Sequence, residues 1–244
     1  MSTLVARDVQ TLFNRKAHSW RSKYRADGKL HSRIERFRAR LEELVPRPAK
    51  ILDLGCGTGD ITAVLDARGF QMTGCDFAEE MIAVARRSHP QAPVEWVCLE
   101  PDWTELPFAA GRFDGIIASS VFEYLGNVPS VAAELSRVLR PEGLLLLTVP
   151  NPFNRVRKLE AGARSLAVRH HLPPWLERIP RLHRYLAYLR LSRNRWEGAG
   201  WQSVLGAAQF AAVDQRDFSR DAWRGQAHER LVMLAVKKQR EISP

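Results

Sequence analysis

Between residues 49 and 150 short apolar runs alternate with amphipathic stretches, a rhythm that few folds accept. The segments "KILDLG", "FQMTGCD", "PVEWVCL", "RFDGIIASS" and "LLLLTVP" read as strands. Between them "DITAVLDARG", ended by Gly69, "AEEMIAVARRS", and "VPSVAAELSRVLRPEG", closed by Pro141 and Gly143, read as helices. Strands joined through helices at this spacing need right-handed crossovers and a parallel sheet covered on both faces.

The flanks read differently. Leu30, Ile34, Phe37, Leu41 and Leu44 step by threes and fours, predicting an amphipathic helix over about 29–45 that Pro46 and Pro48 stop. Residues 151–197 carry prolines and arginines but no strand-like run, so they read as an inserted helical lid; Leu176, Ile179, Leu182, Leu186 and Leu189 again step by threes and fours. "FAAVDQRDF" and "ERLVMLAVKK" supply two closing strands, an antiparallel pair at one edge. The expectation is one α/β domain over 1–244: a Rossmann-like, doubly wound, seven-stranded, mostly parallel sheet with an antiparallel edge hairpin. It divides into an N-terminal helical cap (1–48), a ligand-binding core (49–150), a basic helical insertion (151–197), and a closing helix with the last two strands (198–244).

"ILDLGCGTGD" places a glycine-rich turn between the first strand and its helix, where absence of Cβ atoms lets a ligand approach the backbone. Dinucleotide enzymes use such a turn, spaced G-x-G-x-x-G, to seat a pyrophosphate on the helix N-terminus. Here Asp53 precedes and Asp60 follows Gly55-Cys56-Gly57-Thr58-Gly59, and two carboxylates beside a pyrophosphate repel it. They suit a cation. The motif resembles the first motif of class I S-adenosylmethionine-dependent methyltransferases, whose cofactor carries an ammonium and a sulfonium but no phosphate.

The resemblance implies S-adenosyl-L-methionine as cofactor, with Asp53 helping to hold its amino group and Gly55, Cys56, Gly57 and Gly59 passing beneath it. Asp76, ending the second strand in "GCDFAEEMI", then aligns with the acid that accepts both ribose hydroxyls, with Phe77 and Met81 beside the adenine. "EPDWTELPFAAGRFDGI" is similar to the segment that contacts the adenine amino group, which aligns Asp102 and Trp103 there, although Trp103 and Glu100-Pro101 depart from the usual residues. Ser119 ends the fourth strand at the edge where ligands of such sheets gather. In "SSVFEYL", Glu123 and Tyr124 stand where many relatives carry histidines, and Glu123 is the candidate general base. Trp20 and Tyr24, sharing a helix face with Phe13, are candidates to close the pocket, and the adjacent His170 and His171 are further lid candidates.

The chain has 37 Lys+Arg against 27 Asp+Glu, unevenly spread: residues 1–50 carry net +8, 51–150 net −8, 151–197 net +8 and 198–244 net +2. Basic segments flanking an acidic core favour an anionic small-molecule acceptor, or one presented at an anionic membrane surface, with the arginines of 175–195 lying on it. Solvated helix faces explain the same charges. The amino terminus lacks an apolar signal core, which reads as cytoplasmic or membrane-peripheral. Cys56, Cys75 and Cys98 are odd in number and far apart, so they predict reduced thiols and no metal site. A nucleic-acid methyltransferase is the alternative, favoured by the sequence pI of about 10.1 but lacking the Pro-Pro-Tyr/Phe signature of amino-methylating enzymes. A non-catalytic protein that binds the cofactor is a third reading. A nicotinamide dehydrogenase fits the glycine spacing badly.

Overall fold

The computed structural model of the chain describes residues 3–28, 30–169, 185 and 188–240. His170 and His171, and Leu176, Ile179, Leu182 and Leu186 of the apolar stripe, lie outside the described residues.

Helix α1 (Thr3–Trp20) runs into a 3-10 turn (Arg21–Tyr24) and is followed by α2 (His31–Leu44). The core alternates β1 (Lys50–Leu54), α3 (Asp60–Asp66), β2 (Gln71–Asp76), α4 (Glu79–Ser88), β3 (Glu95–Cys98), β4 (Phe113–Ala118), α5 (Val128–Val138) and β5 (Leu139–Pro150). Then come α6 (Arg155–Arg169), helical residues 188–191, α7 (Gly198–Ala207), β6 (Phe210–Ala212), α8 (Arg220–Gly225) and β7 (Leu231–Lys238). The strands form one seven-stranded sheet in the order β3-β2-β1-β4-β5-β7-β6. Strands β1 to β5 pair in parallel, and β7 runs antiparallel to both β5 and β6, so the expected doubly wound sheet with its antiparallel edge pair is what forms.

Each sheet face has its own apolar layer. One joins Leu52, Ile116 and Leu145 to Phe122, Trp201 and Trp223; the other joins Ile51, Ile117 and Leu146 to Phe37, Leu41 and Phe70. Alternate residues of β1, β4 and β5 therefore face opposite layers, as the strand period requires. The expected amphipathic helix is α2, whose Ile34, Phe37 and Leu41 are buried. Strand order reverses between β1 and β4, and the crevice outside their carboxyl ends is where such sheets bind ligands.

Two expected boundaries move. The helix expected to close at Pro141 and Gly143 stops at Val138; Leu139 pairs with Phe113, Arg140–Gly143 bulge outward with Glu142 at φ +63°, and Leu144 resumes the ladder opposite Gly115. Of "FAAVDQRDF", only Phe210–Ala212 is strand. Beyond it the Asp214 side chain accepts from the Arg216 N–H, and the Ser219 hydroxyl oxygen from the Ala222 N–H. The first bond starts a 3-10 turn where an extended strand was expected, and the second starts α8 just beyond it.

Gly59 shows how tightly the turn is packed. It caps α3 at φ +76°, and a Cβ there would stand 2.4 Å from Cη2 of Trp96. Gly59→Ala is expected to lower unfolding stability by about 1–3 kcal/mol, and pairing it with Trp96→Leu should recover part of that loss; chemical denaturation of both variants measures it.

Candidate functional site

The turn after β1 contains three glycines at positive φ: Gly55 at +68°, Gly57 at +56° and Gly59 at +76°. A side chain at Gly55 would strike Val121 Cγ2 at 2.4 Å, so the loop after β4 rests directly on the turn. The Gly55 and Cys56 N–H groups both donate to the Cys75 carbonyl, at 2.8 and 3.0 Å, tying the turn to the end of β2. Backbone and acid are thereby gathered in one place.

Asp53 is 2% exposed and receives a single hydrogen bond, 2.6 Å from the Thr62 hydroxyl. Burial pushes its carboxyl up to about 7; the Thr62 bond counteracts this, and nearby Asp76 adds to it. Asp76 is braced by backbone: its oxygens accept from the Gly57 N–H at 3.0 Å and the Ala78 N–H at 2.9 Å. Burial lifts it to about 6, against those donors. Carboxylate oxygens accept more than one bond each, so Asp76 retains acceptor capacity for a vicinal diol. Asp60, by contrast, turns outward to Arg21, 3.5 Å away, and to the Thr58 hydroxyl. Of the two acids that bracket the motif, only Asp53 faces the crevice.

These groups border a cavity of about 610 Å³. Asp53, Gly55, Cys56, Gly57, Asp76, Phe77, Met81, Asp102, Trp103 and Ser119 line it, as do Trp20, Tyr24, Glu123 and Tyr124. Gly59 does not; Trp96 covers it. Cys56 and Cys75 are buried thiols, which burial pushes upward and keeps protonated. Trp103 both lines the cavity and packs against the Trp201 layer.

Helix α1 lies across the opening, with Ala6, Val9, Phe13, Lys16 and Trp20 on the cavity side. It is pinned at two points: Gln10 Nε2 donates to the Phe77 carbonyl at 2.9 Å, and the Glu80 N–H donates to Asn14 Oδ1 at 3.2 Å. Ala17 packs with Ala78, Met81 and Val84, and Trp20 leans over the turn, its Nε1 3.6 Å from where a Gly57 Cβ would be. The helix ends at Trp20, so Tyr24 reaches the cavity from the 3-10 turn instead of from the shared face expected with Phe13. Burial pushes the Tyr24 hydroxyl up to about 12, partly offset by Arg33.

Glu123 is held too firmly to work as a free base. Its Oε2 accepts from the Ser192 hydroxyl at 2.7 Å and lies 3.3 Å from Arg157 Nη1, both partners being buried. Arg157 also reaches Glu160 at 3.1 Å and donates to the Tyr188 hydroxyl at 2.6 Å, while Arg195 meets Glu160 at 3.2 Å. This buried network fastens α6 and residues 188–195 to the loop after β4.

Several lining residues carry no motif. Arg33, whose spacing put it off the apolar stripe of α2, donates to Ser120 Oγ at 3.0 Å. Ser120 stands at φ +60°, held by its N–H bond to Thr148 Oγ1 at 2.9 Å. Lys16 lies three residues after Phe13 and four before Trp20, so helical spacing alone would have put it on the same face.

At the switch point of this doubly wound sheet the turn presents a buried acid, Asp53, with one hydrogen bond among the described residues, an environment that favours a cation. Residues 52–147 match the family described as methyltransferase domain. Demethylmenaquinone methyltransferase of Thermus thermophilus is 38% identical over 122 residues, covering 48% of this chain and 56% of that protein. Malonyl-acyl-carrier-protein O-methyltransferase of Legionella pneumophila is 28% identical over 168 residues, covering 67% of this chain and 57% of that protein. The chain thus spans about half the length of these curated relatives. A TehB-like S-adenosylmethionine-dependent methyltransferase from Corynebacterium glutamicum superposes with a TM-score of 0.60 at 17% identity, over 93% of this chain and 98% of that one, a likeness of fold. Residues 52–147 are thus similar to a methyltransferase domain, and the fold is like that of S-adenosylmethionine-dependent methyltransferases.

The residues present fit S-adenosylmethionine. Asp53 lacks a counter-charge, Asp76 retains acceptor capacity, and the buried Ser119 hydroxyl has no partner among the described residues. Both raised acids bind protons more tightly folded than unfolded, so the ligand-free protein loses stability as pH rises through about 6 to 7. A cationic ligand needs Asp53 ionised, so the sign for binding is opposite. Cofactor affinity is expected to tighten from about pH 5 to pH 7, by up to about tenfold per unit where Asp53 is protonated. Asp53→Asn should bind weakly with a flattened profile. Calorimetry in buffers of differing ionisation enthalpy reads both affinity and released protons.

Proposed function

We propose that the protein is a methyltransferase that moves a methyl group from S-adenosylmethionine to a small, anionic acceptor in the covered cavity. The carrying observation is the cavity itself: about 610 Å³, within the usual size of small-molecule sites, and lined by Asp53 and Asp76 together with aromatic and cationic side chains. Bound S-adenosylmethionine supplies an electrophilic methyl on a good neutral leaving group. The protein's share is alignment and exclusion of water, and positioning of this kind is worth up to roughly 7–11 kcal/mol.

Asp53 anchors the amino group, Asp76 the ribose, and Asp102 with Phe77, Met81 and Trp103 borders the base. Trp20 and Tyr24 close the turn side, and α1 keeps water from the reacting atoms. With Glu123 occupied by Arg157 and Ser192, the acceptor is one that arrives ionised and needs no strong base. The roof over the cavity favours a small molecule above a nucleic acid, and relatives named for demethylmenaquinone and malonyl-acyl-carrier protein agree with that preference. All four segments read as parts of one methyltransferase domain.

The acceptor's delivery at an anionic membrane surface is supported by the insertion. In it Leu159 is 74% exposed, Tyr185 and Trp196 are exposed, and so are the basic Arg155, Lys158 and Arg190. Among the described residues, no helix is long and apolar enough to cross a membrane. Such a surface fits interfacial lodging with basic side chains at the headgroups.

Incubation with S-adenosylmethionine and metabolite extracts should yield an acceptor heavier by one methyl group together with S-adenosylhomocysteine; cofactor binding without any methylated product would leave the non-catalytic reading standing. Trp20→Ala is expected to raise the cofactor dissociation constant several-fold, measured by calorimetry. Co-sedimentation should be stronger with anionic than with neutral vesicles and fall at high salt; equal failure with both excludes docking.

A further inference from the structure

Among the described residues, Lys16 is a half-buried cation of the cavity with no ion pair and no hydrogen-bond acceptor. Its neighbours explain why. The nearby acid, Glu123, is taken by Arg157 and Ser192, and Glu160 by Arg157 and Arg195. Arg33 is spent on Ser120, and Lys23 sits 3.6 Å from the centre of the Trp20 ring.

Lys16 Nζ is instead 5.6, 5.9 and 5.8 Å from the ring centroids of Phe13, Trp20 and Tyr188. Those distances lie near the outer limit of a cation–π contact, so each ring attracts the ammonium only weakly. Phe13 also packs edge-on to Tyr124 at 5.2 Å, and Tyr124 meets Tyr188 at 6.4 Å. The ammonium is therefore set into an aromatic wall that joins α1 to the loop after β4 and to residues 188–191. Burial lowers its pKa, with only a distant pull from Glu123 in the other direction. An ammonium losing hydration without gaining a counter-ion is short of an anion.

We propose that Lys16 is the specificity-determining residue of the acceptor end, pairing with the oxygen of a flat, conjugated oxyanion whose ring lies against the wall of Phe13, Tyr124 and Tyr188. This deepens the methyltransferase reading and rests on it. An ammonium at that oxygen favours the ionised acceptor, which supplies its own nucleophilic electron pair. Aromatic surface selects a planar ring over an aliphatic carboxylate of equal charge.

The probe is 4-nitrophenol, whose phenolate absorbs visible light and whose phenol does not, titrated into the protein saturated with S-adenosylhomocysteine. The wild type should bind phenolate in preference to neutral nitrobenzene and to acetate, and lower the probe's apparent pKa. Lys16→Met should weaken phenolate binding about tenfold or more, the scale of a lost charge-assisted contact, and abolish the pKa change; Lys16→Arg should restore part of both. Retained affinity of Lys16→Met for S-adenosylhomocysteine would support the acceptor-side assignment. Loss of that affinity would overturn it, assigning Lys16 to the cofactor. Unchanged phenolate binding in Lys16→Met, or no preference for phenolate in the wild type, would also overturn the proposal. Failure of the wild type to bind S-adenosylhomocysteine at all would instead sink the methyltransferase reading beneath it.

Discussion

A carboxylate enclosed in a parallel sheet, with one hydroxyl for company, is the constraint around which this chain is organised. Desolvation lifts Asp53 toward neutrality, so the unliganded site stores an unmet demand for positive charge. The three left-handed glycines let the chain double back over that acid, and the second acid of the motif is led away to Arg21. Asp76 answers a different need. Its backbone donors fix its plane, which suits a group that must read paired hydroxyls. The crevice thus holds two buried acids whose environments differ, and the proposed function gives them opposite ends of one ligand.

The acceptor end follows another logic. Charges there are abundant but mostly cancel one another: Arg157, Glu123, Glu160 and Arg195 form a buried cluster that ties the insertion to the sheet. Severing one partner of such a cluster leaves an uncompensated buried charge, so its members are better suited to holding the wall than to moving protons. The residue left over, Lys16, projects from a helix that sequence order places far from the insertion.

Local pattern carried most of the fold. In residues 49–150 the strands, packed between two apolar layers, read as short apolar runs and the helices between them as amphipathic stretches, so their alternation was readable from apolar spacing. It failed where a side chain competed with the ladder: Asp214 satisfied a nearby N–H group and turned the end of a predicted strand into a 3-10 turn. The cofactor end was legible for a related reason, since Asp53, the glycines and Asp76 all lie within 24 residues and meet through one β1–β2 pairing. The acceptor end draws Lys16, Arg33, Glu123, Arg157 and Tyr188 from five separate stretches, and no spacing rule joins them. Glu123 was visible as a candidate, yet its partners, Arg157 and Ser192, were not, and they decide what it does.

Helix α1 covers both ends of the cavity at once, Trp20 over the glycine turn and Lys16 at the aromatic wall, pinned by Gln10 and Asn14. Because one helix spans both ends, a parting of α1 from α4 would uncover them together, and the two polar pins and the small alanine-rich contact beneath them oppose that parting.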